Sequence, residues 1–117
     1  MRLGKTVISL VVNLYYTGNN GSAQKFVEEM ESSGIADAIR KEEGNEKYDY
    51  LLVMKDLETV LLIDQWKDHK VLDAHHASKM MKQLAQLRDK YDLHMCVERM
   101  ETIDNLASDH VLSLIHI

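Results

Sequence analysis

The chain has 117 residues, 45% hydrophobic and 28% charged, with five Gly and no Pro. One domain accounts for that length, the apolar fraction is too high for a disordered segment, and no apolar run nears the roughly 20 residues that span a bilayer. A net charge of −5, with 14 basic against 19 acidic residues and no basic stripe, points away from nucleic acid and toward a small neutral or aromatic partner. The lone Cys96 allows neither an intramolecular disulfide nor a Cys-rich metal site. No small-residue cleavage site follows Met1–Lys5, so the reading is a protein of the reducing cytoplasm.

Residues 6–16, TVISLVVNLYY, are β-branched and aromatic without helical spacing, which predicts a strand apolar on both faces. Gly18-Asn-Asn-Gly-Ser22 ends it in a turn. Ala23, Phe26, Val27 and Met30 then recur at helical spacing, and after an interruption at Ser32-Ser33-Gly34 the stripe resumes through Ile35, Ala38 and Ile39. That pattern predicts one broken helix or two short ones, closed at Gly44-Asn45. Tyr48–Met54 and Thr59–Trp66 read as strands whose short link makes them an antiparallel hairpin. Asp68 caps a helical turn carrying Val71 and Leu72. Ser78 caps a longer helix in which Met80, Leu84, Leu87 and Tyr91 share a face. Residues 92–100 alternate Leu93, Met95 and Val97 and form the last strand.

The order β-α-β-β-α-β predicts an α+β fold, a ferredoxin-like sandwich with a four-stranded antiparallel sheet over residues 1–103 and a tail from 104. Leu112 to Ile117, LSLIHI, resemble the conceptual translation of the mosaic-end adapter of a transposon-based sequencing kit and are set aside as one sets aside an expression scar. Helices cover one face of such a sheet, yet the central strands are apolar on both parities. A second copy stacked on the other face, giving a homodimer, is the simplest cover.

Several residues sit oddly in a pure scaffold. Asn13 interrupts an apolar strand with the parity of Ser9, Val11 and Tyr15. Trp66, the only Trp, ends the third strand on the parity of Leu62 and Asp64. His75 and His76 follow on the short helix, and Tyr48 and Tyr50 share one face of the second strand. Each also has a plain structural reading: a bulge or dimer contact for Asn13, a core side chain for Trp66, a satisfied core His for one of the pair. Adjacent His residues cannot easily reach one ion, so no metal site is assigned.

The segment LLIDQWKDHKVLDAHHAS, residues 61–78, resembles the hallmark of the antibiotic biosynthesis monooxygenase family: a strand ending in Trp, then a helix with Leu-Asp-x-His and a Ser. The resemblance extends loosely from Val7 to Met100. It implies a dimeric α+β barrel and a cofactor-free monooxygenase acting with O₂ on a small quinol-type aromatic. In that reading His75 is the base, a role His76 could exchange with it, Asn13 binds the developing oxyanion, and Trp66 and Tyr50 wall the ring. Tyr48, His76 and Met80 complete the substrate contacts. Haem-degrading relatives place Trp at the position of His75 and their ligating His at that of Ala85, which argues against haem. Many monooxygenases of the family have Ser-x-His-Phe where this chain has Ser78-Lys-Met80-Met81, so a non-catalytic ligand-binding or stress-related module is the alternative.

Overall fold

β-branched and aromatic side chains lose rotamer freedom in a helix and suit a pleated surface. They fill β1 (Thr6–Thr17) in the computed structural model, which describes residues 6–104. The adapter-like segment falls outside that range. Gly21, at φ 79°, turns the chain into α1 (Ser22–Ser32). Gly34, at φ 85°, breaks the apolar stripe, so a separate α2 (Ile35–Arg40) follows. Next come β2 (Asn45–Leu52), β3 (Thr59–Trp66), α3 (His69–His76), α4 (Lys79–Lys90) and β4 (His94–Asp104). β2 begins and ends earlier than its sequence pattern predicts, because the hairpin turn takes up Val53 and Met54: the Asp56 amide donates to the Val53 carbonyl, and Met54 is 93% exposed. Asp68 caps α3 as predicted, its carboxylate accepting from the Val71 amide at 2.9 Å. Ser78 stands at the N-cap of α4, but its buried hydroxyl makes no capping bond.

The strands order as β2-β3-β1-β4, every pairing antiparallel. This is the ferredoxin-like α+β sandwich, each crossover carrying two short helices. Directly opposed residues share a face. The register therefore puts Leu10, Val12, Leu14 and Tyr16 on one face with Trp66, Asp64, Leu62 and Val60. Tyr48 and Tyr50 extend that face across β2. Phe26, Met30, Ile39, Leu72 and Leu84 from the four helices close over it and form the core. Burying a side chain of this size stabilises by about 1.5–3 kcal/mol. The opposite face carries Val11, Asn13 and Tyr15 of β1 beside Leu61, Ile63 and Gln65 of β3.

One glycine fixes how α3 seats. Gly44 has φ 81°, and a Cβ there would lie 2.5–2.7 Å from the Val71 side-chain atoms. Only a residue without a side chain lets Val71 lie against the α2–β2 link. The Lys67 amide donating to the Gly44 carbonyl at 2.8 Å holds the start of the β3–α3 connection to the same spot. That contact brings the far end of α3 within reach of Glu42.

Candidate active site

His75 is 4% exposed and stacks on Trp66, ring centroids 4.5 Å apart and planes 28° apart. Its Nδ1 lies 2.6 Å from Glu42 Oε2, a partner 33 residues away in sequence. With the proton on Nδ1 the ring donates to the carboxylate, which fixes the tautomer and leaves Nε2 with a free lone pair. A base oriented in this way is the arrangement that proton-abstracting sites use.

The ring borders two spaces. The inner one, a cavity of about 50 Å³ between sheet and helices, is lined by Tyr16, Tyr48, Asp64, His75, His76, Met81 and Arg88, among others. The outer one, about 370 Å³, opens to solvent between Glu42, Lys67, Lys70 and Ala74. The inner cavity has room for a few waters; an apolar cavity that holds benzene is about 150 Å³. On the helix side its lining includes the exposed His76 of α3 and the half-buried Met81 and Arg88 and buried Leu84 of α4.

Asp64 is the group the sequence reading left out. It sits on the central strand β3, is 6% exposed, and among the described residues no Lys or Arg forms an ion pair with it. Its Oδ1 accepts from the Asn45 amide at a long 3.4 Å. Burial pushes the carboxyl up to about 7, the Trp66 indole and the Asn45 amide opposing and Glu42 adding to the rise. The buried Trp66 Nε1 lies close enough to favour the Asp64 carboxylate but meets no acceptor at hydrogen-bond geometry. Burial also pushes Tyr16 up to about 12, with Arg88 opposing, so that phenol stays neutral. Burial, then His75 and Arg99, hold His76 below its ordinary value.

A carboxyl whose folded pKa exceeds its unfolded 3.8 binds its proton more tightly when folded. Stability from this group is therefore complete below about pH 4 and is lost as the pH rises toward 7. Asp64→Asn, isosteric with the neutral acid, should remove that slope. We expect the variant to gain about 2–4 kcal/mol relative to wild type between pH 4 and 8, read from paired urea melts.

The structure brings together His75, Trp66, Tyr48 and His76 from the expected set, and not the others. Asn13 lies on the opposite face of the sheet, opposed to Ile63 and Glu98, because residues one apart on a strand point to opposite sides. It does not reach the cavity that His75 lines. Tyr50 donates to the Tyr48 hydroxyl at 3.2 Å but borders a shallow groove beside α1 instead. Met80 packs on the core while Met81 faces the cavity. His76 lies beside its neighbour, ring centroids 5.7 Å apart, on the same cavity wall, although adjacent helical positions diverge by about 100°. Glu42 and Arg88 gave no local signal; an acid on the buried parity of an apolar strand was the available sign for Asp64. Among the described residues no three His, Cys, Asp or Glu side chains converge on a point as a metal set would, and no helix is long and apolar enough to cross a membrane.

A ferredoxin-like sheet with a small cavity between strands and helices defines a class of small α+β proteins with varied activities. Within that class the sequence profile of the antibiotic biosynthesis monooxygenase family matches residues 9–87, and the chain belongs to this family. No curated relative matches the sequence significantly. Among solved structures it is similar to a conserved protein of unknown function from Bacteroides thetaiotaomicron, described as a possible oxidoreductase, at 20% identity and TM-score 0.72, covering 83% of this chain and 100% of that one. A conserved protein from Methanosarcina mazei aligns at 21% identity and TM-score 0.70, over 80% and 92% of the two chains. A protein named antibiotic biosynthesis monooxygenase aligns at 20% identity and TM-score 0.66, over 80% and 97%. At these identities the likeness establishes the fold alone.

Proposed function

We propose that the protein is a cofactor-independent monooxygenase that oxidises a small quinol-type aromatic with O₂. The observation that carries this reading is the buried His75, paired with the half-buried Glu42, stacked on Trp66 and bordering the inner cavity. His75 Nε2 takes the substrate hydroxyl proton, and Glu42 steadies the imidazolium that forms. The anion so produced is electron-rich enough to reduce O₂ directly, and the buried site keeps it from water. The ring is admitted by displacement of Met81 and His76, since the cavity at about 50 Å³ is too small for it. Oxygen uptake with menadiol and related quinols tests this. Rates above the uncatalysed background support it, whereas a ligand-induced rise in melting temperature with no oxygen consumed would identify a binding module.

The same reading includes a homodimer through the open face of the sheet. Val11, Leu61 and Ile63 are half-buried there, Leu51 and Met100 are 43% and 46% exposed, and the Asn13 side-chain oxygen is buried without a partner. Apolar surface of this kind is rare on soluble monomers. Sedimentation should give twice the chain mass of 13.5 kDa. Ile63→Glu should dissociate the dimer, because pairing would bury a charge on each subunit's apolar face. A wild-type monomer at micromolar concentration contradicts the assignment.

A further inference from the structure

We propose that Asp64 is the proton donor of the site, delivering its carboxyl proton to the oxygen that leaves as water; this rests on the monooxygenase reading above. The inner cavity places two oppositely suited groups on one wall system: a His whose Nδ1 is engaged by Glu42, and a buried carboxyl that, among the described residues, no Lys or Arg meets at ion-pair distance. A carboxylate so placed is costly to ionise, so burial favours the neutral acid that can give up a proton. A buried acid is unusual on a central strand, where an apolar residue would pack as well. Leu62 and Trp66 hold the same face on either side of it.

The balance of the reaction calls for such a group. The quinol gives one hydroxyl proton to His75, and the resulting anion passes electrons to O₂ so that a ring carbon–oxygen bond forms, leaving a peroxide on a carbon that still bears hydrogen. His75, having returned its proton to the peroxide, removes that hydrogen. The carbon–hydrogen electron pair becomes the second bond of a new carbonyl, the oxygen–oxygen bond breaks, and the departing hydroxide takes the Asp64 proton to leave as water. The imidazolium proton then restores Asp64. In total, quinol and O₂ give hydroxyquinone and water: the substrate loses four electrons, O₂ gains four, and no other reductant enters. Without an acid near the peroxide the oxygen–oxygen bond survives and the intermediate collapses to quinone and hydrogen peroxide.

Six titratable or charged groups face Asp64 from the surrounding elements: Tyr16 of β1, Tyr48 of β2, Glu42 before β2, His75 and His76 of α3, and Arg88 of α4. The two phenols stay neutral through the physiological range because burial raises both. A pH profile would mix the remaining four with Asp64, so the decisive readout is the fate of oxygen.

The test compares wild type with Asp64→Asn and Asp64→Glu, measuring oxygen consumed, hydroxyquinone formed and hydrogen peroxide released from menadiol. Wild type should form one hydroxyquinone per O₂. Asp64→Asn should still consume oxygen but release most of it as peroxide, a fall in coupling of tenfold or more, and Asp64→Glu should restore part of it. Unchanged coupling in Asp64→Asn overturns the proposal and leaves the monooxygenase reading standing. No oxygen consumption by wild type with any quinol overturns both. A difference infrared spectrum of wild type against Asp64→Asn at pH 6 reads the acid without turnover: absence of a protonated-carboxyl band also overturns the proposal.

Discussion

His75→Ala should lower turnover about 10²-fold or more, the usual loss when a positioned general base is removed. The fold should weaken as well. His75 is 4% exposed, stacks on Trp66 and holds the Glu42 carboxylate, so its removal opens a gap and strands a polar partner, at about 1–3 kcal/mol. Activity is therefore measured per folded molecule, with the melting temperature taken on the same sample. Glu42→Gln should cost less, about 10-fold, because it leaves Nε2 in place but no longer favours the imidazolium. His76→Ala, at an exposed position on the same wall, should alter KM more than kcat. Equal fractional losses of activity and folded protein in His75→Ala would return the residue to a structural role.

Trp66→Ala should be the most destabilising single change in the sheet. The indole is fully buried, directly opposed to Leu10 in β1, and forms the platform on which His75 lies. Truncating such a side chain costs about 3–5 kcal/mol through lost transfer energy and the cavity left behind. Domains of this size have roughly 5–15 kcal/mol in total, so thermal unfolding should move down by about 15–30 °C. Trp66→Phe should cost less than half as much, since it keeps an aromatic ring against His75 and leaves a smaller cavity. A Trp66→Ala protein that melts within a few degrees of wild type would show that the cavity collapses freely and that the indole is not the keystone of this face.

Element order, hairpin pairing and the core stripes were legible because each is written in local pattern: a continuous apolar run in residues 60–63, alternation at Leu93, Met95 and Val97, helical recurrence from Ala23 and again from Met80, and turn residues between. The double apolar parity of β1 and β3 also marked in advance that both faces of the sheet are partly apolar. The site was legible only in part. His75 and Trp66 lie nine residues apart on consecutive elements, and their approach follows from one strand-to-helix turn. Glu42 is 33 residues from His75, and its approach depends on Gly44 accepting Val71, which no periodicity encodes. Asn13 went to the other face for a reason the sequence did contain. Its parity on β1 differs from that of Leu10 and Val12, the residues opposed to Trp66 and Asp64, but pairing register is needed to say which parity meets the helices. Asp64 shows the converse: a polar residue on a buried parity is a local sign, and its meaning emerges only with the cavity beside it.

The most direct test of the account follows isotopically labelled O₂ through a single aerobic turnover of menadiol by the wild-type protein, with mass analysis of the quinone. The account predicts a hydroxyquinone carrying one labelled oxygen, formed well above the protein-free rate, with the second labelled atom in water. Unlabelled quinone accompanied only by labelled hydrogen peroxide, or no product above background across a series of quinols, would contradict it.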